Sequence, residues 1–282
     1  MSTYKYFMNI NEAIKKEALR RCYSFRTIKT YQKCVERFLK TCNKDISKIS
    51  KTDVKEFLYE LIEKGKAGNT INVYLSSLKF LLEEILNKKM RLNIKYSKKP
   101  LKLPIILSRG ELKKLFSSIY NKKHRLIIQF IYSSGLRVSE IINLKIQDLE
   151  LNKSYGFVRN GKGNKDRIFI VAETLKEDIK NLIEKEKLKT EDYLFNTNRK
   201  SKYNIRSIQQ IIKNAVKIAG VNKKISPHTL RHSFATHLIE NGYSVSEIQA
   251  LLGHKSPETT MIYLHASLPN MIKVKSPLDN SQ

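Results

Sequence analysis

Six residues between positions 137 and 263 have the side chains needed to break a phosphodiester. They are Arg137, Lys162, His228, Arg231, His254 and Tyr263. Guanidinium groups match phosphate oxygens two at a time, so two arginines can hold the charge that develops on a phosphoryl group. Transfer of such a group depends mainly on positioning and electrostatic stabilisation. The set predicts a cationic cage around a tyrosine nucleophile.

These residues lie in short strings of distinctive composition. The strings are Ser-Gly-Leu-Arg for Arg137, Gly-Lys-Gly-Asn-Lys for Lys162, His-Thr-Leu-Arg for His228 and Arg231, and Leu-Leu-Gly-His for His254. Tyr263 stands out among 14 tyrosines because it follows His254 by nine residues. The order and the strings together resemble the tyrosine recombinase family, and its Xer-type site-specific recombinases most. The resemblance extends over residues 11–266.

The resemblance assigns a role to each cage residue that would bind the phosphate. Arg137 and Arg231 would hold its oxygens, and His254 would contact a non-bridging oxygen. His228, three residues before Arg231 and hence on the same helix face, would accept a proton or donate a hydrogen bond near the nucleophile. Glu140 follows Arg137 by three residues, so we expect it to support that arginine without acting as a base.

The resemblance also assigns the two residues that exchange bonds and protons. Tyr263 would attack the phosphorus, leaving a 3′-phosphotyrosine and a free 5′ hydroxyl. Lys162 would protonate the leaving 5′ oxygen from a mobile hairpin, with Lys165 as the competing candidate. The ester stores the bond energy, so the reaction needs neither a metal nor ATP, and no cofactor is expected.

The same residues suggest two other kinds of site, a zinc site and a nucleotide-binding loop. His228 and His232 form an i, i+4 pair with His237 nearby, which makes zinc conceivable, but no acidic or cysteine ligand accompanies them. We therefore expect His232 and His237 to be packing or helix-surface residues. The Gly-Lys-Gly string lacks the spacing of a phosphate-binding loop, so nucleotide binding is not supported.

The charge of the chain indicates a polyanionic partner. Lys and Arg number 54 against 26 acids, a formal charge of +28. Such an excess opposes folding by self-repulsion unless a polyanion offsets it, and double-stranded DNA is the natural candidate. Residues 1–90 carry +9 and the remainder +19, so both parts are expected to clamp DNA. No run of 18 apolar residues and no signal-peptide core occur, which predicts a cytoplasmic protein with no membrane partner.

Helical periodicity fills the first ninety residues. An apolar stripe follows Ile28. A helix start is predicted at Ser50, with the apolar residues from Val54 to Ile62 on one face, and Asn69 is expected to cap a helix whose apolar positions continue to Ile85. Three cysteines without CxxC spacing are expected to be reduced thiols. We predict an N-terminal helical DNA core-binding domain over 1–90 and a basic linker over 91–104.

The catalytic domain is predicted over 105–267. Helices are expected at about 109–119, 122–134, 173–188 and 204–219, and again after the caps at Ser226, Ser244 and Ser256. Two β-rich runs within 155–171 predict a hairpin around Lys162. The predicted fold is therefore mainly α with a small antiparallel β-sheet: a helical bundle followed by an α+β tyrosine recombinase catalytic domain.

The resemblance implies a recombinase that acts through a Holliday junction, resolving chromosome or plasmid dimers at a dif-like site. It further implies a tetramer on two DNA sites, with a paralogous recombinase or a DNA translocase as possible partners. The tail, 268–282, carries apolar groups and is expected to contact the neighbouring subunit. The alternatives are a mobile-element integrase, a type IB topoisomerase and a non-catalytic DNA-binding protein.

Overall fold

The computed structural model describes residues 2–88, 92–97, 103–159, 166–253 and 259–264, with side chains from Ile10 onward. The chain divides into two compact units, Met1–Leu101 and Lys102–Gln282. Hydrophobic cores are formed separately in the two units. The predicted positions of Lys162 and His254, and the predicted tail, lie outside the described residues.

The N-terminal unit is the predicted helical bundle. Its helices are α1 (Ser2–Arg20), α2 (Phe25–Cys42), α3 (Lys51–Glu63) and α4 (Gly68–Lys79), and α4 continues into a π-helical turn, Phe80–Ile85. The α3 start is confirmed, because the Ser50 side chain accepts from the Asp53 N–H and Asp53 accepts from the Ser50 N–H. In the core, the rings of Phe38 and Phe57 meet edge to face at 5.1 Å between centroids.

Two details of the bundle were predicted wrongly. Asn69 does not cap a helix: α4 begins one residue earlier at Gly68, and the Ala67 carbonyl accepts from the Ile71 N–H. Ile62 was predicted to share the apolar face of α3, but it is 51% exposed. It follows the buried Leu61 by one residue, and a helix turns about 100° per residue, which carries Ile62 off the apolar face.

Part of the predicted linker is fixed onto the N-terminal unit. Leu92 is buried and its N–H donates to Glu83 at 2.6 Å. The Asn72 side chain donates to the Ser97 carbonyl at 3.0 Å and accepts from the Ser97 N–H at 2.7 Å. The Asn72 amide thus forms hydrogen bonds with both backbone polar groups of Ser97. Such bonds hold residues 92–97 in place although this segment has no helical periodicity.

The C-terminal unit combines helices with one small sheet. The helices are α5 (Arg109–Ser117), α6 (Lys122–Ser134), α7 (Val138–Ile141), α8 (Lys176–Glu186), α9 (Ile205–Ala219), α10 (Pro227–Glu240) and α11 (Val245–Leu252). The strands are β1 (Leu149–Glu150), β2 (Tyr155–Val158) and β3 (Arg167–Ile170). They are antiparallel in the order β1–β2–β3, with Val158 opposite Arg167 at the end of the β2–β3 pair from which residues 159–166 connect the two strands. The predicted fold class and hairpin are confirmed, and β1 was not predicted.

Most predicted helix ends are also confirmed. Ser108, Ser226 and Ser244 each accept from a backbone N–H three residues on, and Pro227 occupies the first helical position of α10. α10 ends in the usual way at a glycine: Asn241 is its cap, and Gly242 follows with φ +93° and donates its N–H to the Ile239 carbonyl at 2.9 Å. Residues 259–264 are helical and carry Tyr263. The predicted helix start at Ser256 lies outside the described residues.

Candidate active site

A tight turn between α6 and α7 positions Arg137. Gly135 ends α6 with φ +62°, and a Cβ there would lie 2.4 Å from the Phe234 ring, so only glycine fits. Arg137 then begins α7. Its backbone N–H donates to Glu140 Oε2 at 2.7 Å and its Nη1 donates to Oε1 at 2.8 Å. The expected pairing of Glu140 with Arg137 is thus present, and it fixes the guanidinium against the start of its own helix.

Arg231 is the buried arginine of the site. It lies on α10, is 3% exposed, and donates to the Gly135 carbonyl at 2.5 Å and to the Leu252 carbonyl at 2.6 Å. Burial, followed by repulsion from Arg137, lowers its pKa to about 10. The side chain therefore stays cationic at neutral pH, and it joins the α6–α7 turn to the C-terminal end of α11.

Tyr263 is packed against the same helix as Arg231. Its side chain is 2% exposed and belongs to a small core with Phe234 and Leu252. The phenol oxygen lies 3.1 Å from His232 Nδ1, and the two ring centroids are 5.4 Å apart.

The two groups of this contact are neutral at physiological pH. Burial raises the pKa of Tyr263, although Arg231 and Arg137 pull it in the opposite direction. Burial, then His228 and Arg231, lowers the pKa of His232 to about 4. A protonated phenol beside a weakly basic imidazole is a poor nucleophile, so the contact holds Tyr263 without activating it.

His228 occupies a different environment on α10. It is exposed, and its ring centroid lies 6.4 Å from that of His232. Its pKa is lowered by partial burial and then by the positive charges of Arg231 and Arg137. A bound phosphate would oppose those charges, so we expect it to raise the pKa of His228 and strengthen it as a proton acceptor.

The described residues bring together four of the six predicted cage residues: Arg137, His228, Arg231 and Tyr263. Lys162 and His254 lie outside the described ranges. His232 was predicted to be a packing or surface residue and instead contacts the candidate nucleophile. Its i, i+4 spacing from His228 was a usable signal, since it places both rings on one helix face.

Neither a metal cluster nor a membrane helix occurs in the described ranges. Within residues 2–88, 92–97, 103–159, 166–253 and 259–264, His, Cys, Asp and Glu form no group of three or more that could hold a metal ion. His237, part of the zinc alternative, instead contacts the Tyr132 hydroxyl at 2.9 Å through Nδ1. Over the same ranges, each helix is too short or too polar to cross a bilayer.

Family models and relatives match both units. A model of the phage integrase family matches residues 106–268, and one of the phage integrase N-terminal SAM-like domain matches 10–92. Tyrosine recombinase XerD of Oceanobacillus iheyensis is 36% identical over 88% of this chain and 90% of that protein. Tyrosine recombinase XerA of Pyrococcus furiosus is 37% identical, covering 88% of this chain and 86% of that protein.

A solved structure agrees in fold. The XerH site-specific recombinase, bound to palindromic difH substrate in a post-cleavage complex, has a TM-score of 0.74 and 26% identity. The match covers 89% of this chain and 79% of that one. Together with the family match over most of the C-terminal unit and relatives of similar length, this shows that the chain belongs to the phage integrase family of tyrosine recombinases.

Proposed function

We propose that this chain is a site-specific DNA recombinase that cuts and rejoins strands through a covalent 3′-phosphotyrosine at Tyr263. The observation that carries the proposal is the convergence of Arg137, Arg231 and His228 with a tyrosine that Arg231 and His232 contact. Two cations beside a hydroxyl nucleophile match the needs of phosphoryl transfer. Family membership supports a DNA strand-transferring enzyme.

The proposed cleavage step balances without a metal, ATP or other cofactor. The Tyr263 oxygen attacks the scissile phosphorus while the phosphorus–O5′ bond breaks. Arg137, Arg231 and His254 hold the non-bridging oxygens, and the phenolic proton passes to His228. The leaving O5′ takes a proton from Lys162. A 5′ hydroxyl from a second duplex then attacks the phosphotyrosine, which restores the DNA backbone and releases Tyr263.

Further features of the proposal come from the kind of relatives this chain matches. We propose that four protomers act on two DNA sites and exchange strands through a Holliday junction, with 268–282 contacting the neighbouring subunit. The biological task is resolution of chromosome or plasmid dimers at a dif-like site in the cytoplasm. A paralogous recombinase or a DNA translocase would be the partner that regulates it.

A recombination assay tests this proposal. A duplex selected from random-sequence DNA for binding to the full chain, called the selected duplex below, is placed twice in one plasmid. Excision of the intervening DNA is the expected result with wild-type protein. Binding without strand exchange or cleavage would favour a non-catalytic DNA-binding protein, whereas relaxation of supercoils without excision would favour a topoisomerase.

Lys162→Ala should slow cleavage of ordinary DNA by roughly 10²–10⁴-fold, the usual contribution of a general acid. Sulfur in place of the bridging 5′ oxygen is a better leaving group and needs no proton, so that substrate should be cleaved at close to the wild-type rate. Lys165→Ala is the matched control and should cleave both substrates normally. An equal loss of cleavage rate on both substrates in Lys162→Ala would contradict the assignment of Lys162 as the general acid.

The affinity of the full chain should fall steeply with salt, because both compact units are basic. Met1–Leu101 carries 23 basic and 10 acidic residues, a net charge of +13, and Lys102–Gln282 carries +15. The logarithm of affinity should fall with log salt at about 0.9 per phosphate contacted. Titrations of the two units made separately should each give a shallower slope. A full-chain slope equal to that of one unit would exclude a DNA clamp.

A further inference from the structure

Arg167 holds together three parts of the candidate active site and has no role in the chemistry proposed above. It is the first residue of β3, the strand that follows the Lys162 loop in sequence. Its side chain is 10% exposed. A cation this deeply buried needs several good partners, and those partners indicate what it does.

The carboxylate of Glu140 is the main partner of Arg167. Nη1 donates to Oε1 at 2.9 Å and Nη2 donates to Oε2 at 2.6 Å, the parallel two-bond geometry that suits guanidinium and carboxylate. The same two oxygens accept from Arg137. One carboxylate therefore serves two arginines, and the cluster keeps a net positive charge.

Sharing of the carboxylate affects how Arg137 can meet a phosphate. Without Arg167, both carboxylate oxygens of Glu140 would be available to the Arg137 guanidinium and would offset the charge of that guanidinium. Arg167 competes for both oxygens. In the present geometry Glu140 takes only Nη1 and the backbone N–H of Arg137, while Arg137 Nη2 is 3.4 Å from the Gly253 carbonyl. That long contact can give way to a stronger acceptor such as a phosphate oxygen.

The third N–H of Arg167 reaches α11. Nε donates to the Leu251 carbonyl at 3.0 Å, one residue before the carbonyl that Arg231 binds. Gly253 closes α11 with φ +62°, and a Cβ there would lie 2.8 Å from Arg167 Cδ. The end of the helix that precedes His254 is thus packed directly on the Arg167 side chain.

We propose that Arg167 is a positioning residue for strand cleavage, which sets Arg137 through Glu140 and fixes the end of α11 through Leu251. Arg231 joins the α6–α7 turn to α11, and Arg167 adds β3 to the same assembly. The inference rests on the proposed function, because it concerns the phosphate-binding groups of that reaction.

The test compares Arg167→Gln with Arg159→Gln. Arg159 follows β2 on the same hairpin, is 55% exposed and pairs with Asp148, so its variant removes one positive charge without touching Glu140. Single-turnover cleavage is measured with saturating selected duplex carrying a nick that traps the covalent product. Affinity is measured in parallel on the uncleavable Tyr263→Phe background.

Arg167→Gln should cleave roughly 10²-fold more slowly, because loss of precise positioning costs about that factor. Its affinity should stay within about threefold of the Arg159→Gln value, since each variant loses one positive charge. A methylphosphonate at the scissile position removes the charge of one non-bridging oxygen, so less charge must be stabilised by the arginines. The rate difference between Arg167→Gln and wild type should therefore be smaller on this substrate. A bridging 5′ sulfur bypasses only the general acid, so the deficit should persist.

Several outcomes would overturn the proposal. The first is cleavage by Arg167→Gln at the rate of Arg159→Gln. The second is full restoration of the Arg167→Gln cleavage rate by the 5′ sulfur. The third is a rate deficit of Arg167→Gln that is unchanged on the methylphosphonate. If Arg167→Gln does not fold, Arg167→Lys replaces it, since it keeps the charge but lacks the two-bond geometry. It should lose rate at unchanged affinity, and a wild-type rate would refute the proposal. Failure of wild-type protein to cleave any duplex would instead refute the proposed function.

Discussion

We expect Tyr263→Phe to abolish covalent attachment to DNA and to leave the affinity for the selected duplex within about twofold. The change removes one oxygen, which is the proposed nucleophile. Loss of the contacts with His232 and Arg231 should lower the free energy of unfolding by about 0.5–1.5 kcal/mol for each of the two hydrogen bonds. Denaturing gels of protein incubated with nicked duplex measure the adduct.

Tyr243→Phe is the matched control for this substitution. Tyr243 lies just beyond α10 and is 52% exposed, so its hydroxyl belongs to the surface and not to the site. This variant should form the adduct at the wild-type rate. Adduct formation by Tyr263→Phe, or its loss in Tyr243→Phe at unchanged stability, would contradict the assignment of the nucleophile.

Arg231→Lys should lose both activity and stability. A lysine keeps one charge but cannot reach the Gly135 and Leu252 carbonyls in the fork geometry of arginine. Each carbonyl left without a partner costs about 1–3 kcal/mol of unfolding free energy. Cleavage should fall by about 10³-fold or more, as when a charge-stabilising arginine is removed from phosphoryl transfer.

Chemical denaturation and single-turnover cleavage separate these two effects, because the rate is measured only where the variant is folded. The control is Arg109→Lys, whose guanidinium donates to Asn241 Oδ1 at 2.8 Å on the surface of the same unit. We expect it to leave both quantities nearly unchanged. Wild-type cleavage by Arg231→Lys would show that the buried arginine is only structural.

Local signals made much of the fold predictable. The helix starts at Ser50, Ser108, Ser226 and Ser244 depend on residues within one turn, and the structure has all four. Asn69 was misassigned because the residue before α4 is Ala67, which makes no side-chain capping bond and so gives no sequence signal, whereas Asn69 two residues later has a typical capping side chain. The order of residues 92–97 could not be predicted, since it depends on Glu83 and Asn72, which lie on other parts of the chain.

The candidate site shows the same division between local and distant contacts. The pairing of Arg137 with Glu140 follows from their spacing of three residues, and it was expected. The contacts of Arg167 with Glu140 and of His232 with Tyr263 join segments 27 and 31 residues apart. Helical spacing could place His232 on the face of His228, but it does not indicate which distant residue either group contacts. Those contacts depend on the packing of β3 against α7 and of residues 259–264 against α10.

The most direct measurement is identification of the residue and the DNA end joined in the trapped complex. Wild-type protein is incubated with a nicked selected duplex, from which the short fragment bearing the free 5′ hydroxyl is lost after cleavage. The complex is digested with protease and nuclease and analysed by mass spectrometry. The account predicts a peptide containing Tyr263, linked through its phenol oxygen to a 3′ phosphate of the DNA. A link to another residue, a link to a 5′ phosphate, or the absence of any adduct would contradict it.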